Sequence, residues 1–203
     1  MDNARAPDIA ALVGARICHD LAGVLGALGN GIEVLGEAGG SGAELEMVAD
    51  TASEARNRLA MLRIAFAPAD DADSFVAPAM LRSIAQGLNG ASRLTLGWTP
   101  ADTALPRPRV RLAVLLAMCT ASAMPRGATL HIKLDADALA LHAQGTRCTL
   151  DPALWDCLDG ASAPPVTLRP AQVHFAVAAQ VLQHNARALS LQQPEPGTLV
   201  LRC

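Results

Sequence analysis

Two apolar seams at helical spacing dominate the first third of this chain and restrict what it can fold into. Ile9, Leu12, Val13, Ile17, Leu21, Val24, Leu28, Ile32 and Leu35 recur every three or four residues, which places them along one side of a single long helix. Gly39, Gly40 and Gly42 interrupt the pattern, and Leu45, Val48, Ala52, Ala55, Leu59, Leu62 and Phe66 resume it in strict alternation of three and four. Two helices joined by so short a turn form an antiparallel hairpin. A lone hairpin cannot cover both seams, so the pattern predicts pairing with a second copy, a homodimer built on a four-helix bundle.

Opposite the first seam lies the stretch Arg16-Ile17-Cys18-His19-Asp20-Leu21. At roughly 100° per residue, His19 falls about 160° from both Ile17 and Leu21, so its imidazole is expected in solvent. An exposed His beside an acid is a nucleophile suited to phosphorus, because neutral imidazole is available near pH 7 and Asp20 can orient or deprotonate the ring. Gly23, Gly26 and Asn30 follow His19 at steps of four, three and four and continue its stripe. Each glycine inside a helix costs about 1 kcal/mol relative to Ala. That cost is offset either by close packing of another helix in the same fold or by a partner that brings its own reactive group up to His19.

Composition narrows the function classes. The chain has 203 residues, 51% of them hydrophobic, enough for one large core or two small ones. With 16 Lys+Arg against 19 Asp+Glu and no basic run, nucleic acid is not an expected partner. The longest uninterrupted apolar run, Leu112 to Cys119, is far short of the roughly 18 residues of a membrane span, and the N-terminus lacks a signal pattern. A soluble cytoplasmic protein with no membrane partner is the expectation. Five cysteines without CxxC spacing indicate neither a disulfide framework nor a metal site.

Pro68 to Pro78 reads as a linker rich in Ala, Asp and Pro, dividing a helical hairpin at 1–67 from a second domain at 78–203. The second domain alternates helix (79–88), strand (93–98), helix (109–124), strands (128–134 and 138–143), short helix (151–158), helix (171–189) and strand (198–202). An α+β chain with helices on one face of a mixed sheet follows. His131, His142, His174 and His184 lie in strand or apolar-helix patterns and are expected to be partly buried structural residues. Arg56 and Arg63, one heptad apart near the level of His19, read as a solvated face or an extension of a docking surface.

The order of hairpin and α/β domain resembles the core of sensor histidine kinases, a phosphoacceptor hairpin followed by an ATPase domain. The second domain departs from them: no Asn occurs between Asn89 and Asn185, and Ala143 to Pro164 holds only Gly145 and Gly160 where the kinases carry glycine-rich nucleotide motifs. The resemblance therefore implies an α/β sandwich like a degenerate ATPase domain, without ATP binding. Arg16, Cys18-His19-Asp20-Leu21, Gly26-Ala27 and Asn30-Gly31-Ile32-Glu33-Val34-Leu35 are similar to the first-helix pattern of ChpT-type histidine phosphotransferases of alphaproteobacteria. Members usually have Ser-Pro or Thr-Pro where this chain has Gly23-Val24. The resemblance implies a phosphorelay transferase that shuttles a phosphoryl group through His19 between the aspartates of response-regulator receiver domains, including that of a hybrid histidine kinase. No cofactor of its own is implied, Mg²⁺ being supplied by the receiver. Asp20 is then base or orienting group, and Arg16 either neutralises phosphoryl oxygens or pairs with Asp20. A dimeric scaffold that only binds receivers, or a receiver phosphatase, are the alternatives; Gly23 disfavours the phosphatase, which needs a hydroxyl or amide at that position.

Overall fold

The structure, a computed structural model, describes residues 6–37, 42–67, 74–100, 102–135 and 138–203. Helices α1 (Ile9–Glu37) and α2 (Gly42–Phe66) form the hairpin, with the glycine turn at 38–41 outside the described residues. At 1.5 Å per residue, the 29 residues of α1 extend about 43 Å. Gly31 lets the two helices approach, since a Cβ there would sit 3.1 Å from Val48 Cγ2.

The second unit follows as β1 (Phe75–Val76), α3 (Pro78–Ala91), β2 (Leu94–Thr99), β3 (Leu105–Pro106), α4 (Arg107–Ala123), β4 (Ala128–Leu134), β5 (Leu139–Gly145), α5 (Pro152–Trp155), α6 (Val173–His184), β6 (Ser190–Gln192) and β7 (Thr198–Arg202). Five strands form a mixed sheet in the order β2-β4-β5-β7-β6, parallel only between β2 and β4. Alternation sets its faces: Leu130, Ile132 and Leu134 of β4 point into the core, while Thr129, His131 and Lys133 point out. Helix α3 lies against β2, α4 lies against β4 and β5, and α6 packs beside α4, so the helices cover one face. The run Leu112 to Cys119 is buried throughout, and Trp155 meets Phe175 edge-on at 5.4 Å.

The hairpin docks on this helix layer through α2 against α3 and α4, and through α1 against α6 and the 3-10 turn Pro170–Gln172. Gly87 makes the closest approach, for a Cβ there would overlap the carbonyl of Asn57. The apolar seam of α1 is satisfied within the chain only over its first half. Ile9, Leu12, Val13, Ile17 and Leu21 pack against the core and Val24 is buried, whereas Leu25, Ile32 and Val34 of α1 and Leu45, Met47 and Leu59 of α2 are exposed. This uncovered half also makes Ile9–Gly36 long and apolar enough, by length and composition alone, to cross a membrane, a property that uninterrupted-run counting does not register.

Several expectations need correction. Residues 68–73 of the expected linker lie outside the described residues, but Phe75–Val76 is a strand that pairs antiparallel with Leu105–Pro106. The helix expected over 171–189 ends at His184, where Asn185 caps it and Ala186 takes φ 50. His131 and His142 face each other across β4 and β5 and are exposed, because no helix layer covers that face of the sheet; His184 is exposed at the end of α6. Only His174 is buried, and burial, with positive Arg16 as a lesser cause, lowers its pKa to about 3.

Gly87→Ala should force α2 and α3 apart and lower unfolding stability by about 1–3 kcal/mol in urea denaturation. Gly26→Ala, where a Cβ meets nothing within 4 Å, should raise stability by up to about 1 kcal/mol through helix propensity. Equal effects at the two positions would contradict the docking described.

Candidate functional site

His19 sits in the middle of α1 with its side chain 87% exposed, on the solvent side where helical spacing puts it. The neighbouring Asp20 turns the other way, towards the second unit, and its side chain is only 7% exposed. A carboxylate so buried needs compensation. Arg16, one turn earlier, supplies it: Nε donates to Asp20 Oδ2 at 2.6 Å, and Nη1 donates to the carbonyl of Ala171 at 2.8 Å. Arg16 therefore bridges α1 to the 3-10 turn before α6, across 155 residues of sequence.

The second oxygen of Asp20, Oδ1, lies 3.3 Å from His19 Nδ1. Since a carboxylate only accepts, Nδ1–H is the donor in this contact, which leaves the lone pair of a neutral ring on Nε2. Asp20 touches Nδ1 and not the exposed Nε2, so in this geometry it can orient the ring but is not placed to take a proton from Nε2. The guanidinium of Arg16 is committed to Asp20 and Ala171 and acts through Asp20 as a positioning group. The pairing with Asp20 is one of the two contacts expected of Arg16.

Gly23, Gly26 and Asn30 continue the His19 face and are exposed. A Cβ at Gly23, Gly26 or Gly29 would meet no atom within 4 Å, so within the described residues no helix packs on this stripe. Intrachain packing thus accounts for Gly31 alone and leaves a cleared surface beside His19.

Behind Arg16 an open cleft of about 410 Å³ separates the hairpin from the second unit, with Arg93, Ser122 and His174 in its wall. His174 Nε2 meets Ser122 Oγ at 3.2 Å, and its Nδ1 has no partner among the described residues. Sequence reading did not foresee that His174 and Ala171 adjoin Arg16, because nothing in local periodicity reports a contact between α1 and α6. No group of three or more His, Cys, Asp or Glu able to hold a metal occurs among the described residues.

A helical hairpin with an exposed His beside a buried Asp, docked on a mixed α/β unit, defines the class. The sequence profile of the histidine phosphotransferase C-terminal domain matches residues 78–197, and the chain belongs to that family. It is 30% identical over 128 residues, 63% of its length, to "Protein phosphotransferase ChpT" of Brucella abortus (strain 2308); the match spans 61% of that relative. A solved structure described as that of a bacterial phosphotransferase shares the fold, with a TM-score of 0.71 over 96% of this chain and 95% of that one at 22% identity.

Arg16→Met should leave the Asp20 carboxylate buried and uncompensated and cost about 3 kcal/mol of stability at pH 7. The double change Arg16→Met with Asp20→Leu should recover most of that loss, because both charges are then gone. A single-variant cost below about 0.5 kcal/mol in chemical denaturation would mean that the pair does not anchor α1.

Proposed function

We propose that this chain is a histidine phosphotransferase of a two-component phosphorelay, shuttling phosphoryl groups between receiver-domain aspartates through His19. One observation carries the reading: an exposed imidazole shares its helix face with glycines that have open space above them, while its Nδ1 lies 3.3 Å from an anchored, buried carboxylate. Family membership and the ChpT relative support it.

In the forward step the His19 Nε2 lone pair attacks the phosphorus of a receiver's aspartyl phosphate. The N–P bond forms as the P–O bond to the receiver carboxylate breaks, and that carboxylate leaves with the bonding pair. The ring becomes positively charged with its proton still on Nδ1, and the negative charge of Asp20 faces that proton. Return of the group to a second receiver's aspartate reverses each change. Such transfers depend mainly on alignment and charge neutralisation. Alignment comes from α1, and the divalent ion that neutralises phosphoryl oxygens comes with the receiver. Gly23, Gly26 and Asn30 form the surface on which the receiver's loops approach.

The reading includes a homodimer in the cytoplasm. The exposed Leu25, Ile32, Val34, Leu45 and Met47 of the hairpin's turn end are covered by a second hairpin, completing a four-helix bundle. The same covering accounts for the apolar character of α1 without a membrane. The second unit neither binds ATP nor phosphorylates His19.

His19→Gln should abolish acid-labile labelling from a phosphorylated receiver while far-UV circular dichroism stays unchanged, and millimolar Mg-ATP should neither label the wild-type protein nor raise its Tm. Full labelling of the variant would assign the chemistry to another residue. Retained receiver binding with no transfer by wild type would favour the scaffold reading instead. Ile32→Glu, at a position 54% exposed in the single chain, should convert a sedimenting dimer to a folded monomer. A wild-type monomer at micromolar concentration would contradict the bundle.

A further inference from the structure

The outer flank of the hairpin carries a groove that the phosphotransfer reading does not use. Helices α2 and α3 run antiparallel, with Gly87 against Asn57 and Gly90 beside Glu54 and Arg58. On one side of this contact the two helices and residues 75–77 enclose an open groove of about 700 Å³. Its floor includes the buried Ile64 and Val76. Its lips are apolar and uncovered: Phe75 is 66% exposed, Met80 44% and Leu59 43%. Scattered apolar side chains are ordinary on a surface, but three around one concave groove mark a contact site. Phe75 is one of only three Phe in the chain.

Charge at the groove is one-sided. Among the described residues Arg56, Arg63 and Arg107 line it, and no Asp or Glu does. None of the three has an ion pair or side-chain hydrogen bond among the described residues, whereas Arg58 on the same helix pairs with Glu54 and the carbonyl of Gly90. The positions three and four residues either side of Arg56 and Arg63 hold no acid. The two guanidinium groups start about 10 Å apart, two helical turns.

A groove between two antiparallel helices is complementary to a third helix, whose apolar side interlocks with their side chains. Guanidinium groups on the rim with no acid against them among the described residues select acidic flanks. A second copy of this chain meeting the same patch about a twofold axis would bring arginine onto arginine, which opposes it. We propose that the α2–α3 groove binds an amphipathic helix with acidic flanks, presented by a partner protein. Phe75, Met80 and Leu59 grip its apolar side, and Arg56, Arg63 and Arg107 its carboxylates. This surface is separate from the His19 stripe and does not depend on the phosphotransfer reading.

The test uses the full-length protein and a fluorescein-labelled synthetic helix of about 15 residues. Its Leu residues lie at i, i+3, i+4 and i+7 and its Glu residues on either side; a scrambled peptide of equal composition serves as control. Binding is read by fluorescence anisotropy at two salt concentrations, without any phosphoryl transfer. Expected is saturable binding at least about tenfold tighter than the scrambled peptide, weakened by at least about tenfold in Phe75→Ser and in the Arg56→Glu, Arg63→Glu double variant, with circular dichroism unchanged. Equal binding of both peptides, or equal binding by the variants, would overturn the proposal. So would binding that appears only after Asp70, Asp71 and Asp73 are changed to Asn, since the chain's own linker would then be the occupant. Loss of a sedimenting dimer in Phe75→Ser would overturn it too, by assigning the groove to a second copy.

Discussion

The contact on which the site depends is the link from Arg16 to Asp20 and to the carbonyl of Ala171. It does two things at once. It compensates a buried carboxylate that would otherwise oppose folding, and it ties the middle of α1 to the turn before α6. Because Asp20 is held in this way, its free oxygen sits at a fixed place beside His19 Nδ1. The salt bridge fixes the carboxylate beside Nδ1 without touching Nε2, the nitrogen that the proposed mechanism uses. Preorganisation is thereby moved off the solvent face, which remains open for a partner.

The glycines of α1 complement this arrangement. They weaken a helix that must also stand 43 Å or so long, a cost of about 1 kcal/mol at each interior position. Gly31 has an evident return in the approach of Val48; Gly23 and Gly26 have none among the described residues. A helix that is anchored on one side and stripped on the other leaves backbone accessible beside an exposed imidazole, as the proposed docking of a receiver requires. The uncovered apolar residues near the hairpin turn give the second half of α1 a separate requirement, which the proposed pairing with another hairpin would meet.

Much of this was legible in the sequence because periodicity reports faces directly. The angle between His19 and the Ile17–Leu21 seam gives the exposure of the imidazole, and β4 is readable from Ala128 to Leu134 because Leu130, Ile132 and Leu134 alternate with polar residues. What stayed hidden depends on partners far apart in the chain. Nothing local tells that Arg16 reaches Ala171, or that its Nε pairs with Asp20. Two-residue strands such as Phe75–Val76 carry too few side chains for any alternation, so β1 reads as linker. The same strand pattern that places His131 and His142 on one face cannot say that no helix covers that face.

The central claim is that Asp20 holds His19 by Nδ1 and leaves Nε2 to react. Transfer of phosphate from a phosphorylated receiver to uniformly ¹⁵N-labelled protein, followed by ³¹P and ¹⁵N NMR, identifies the nitrogen that carries the phosphoryl group. The expected product is phosphohistidine at His19 Nε2, with a protonated Nδ1. Phosphate on Nδ1 of His19, or on any other residue, would contradict the geometry on which the mechanism rests.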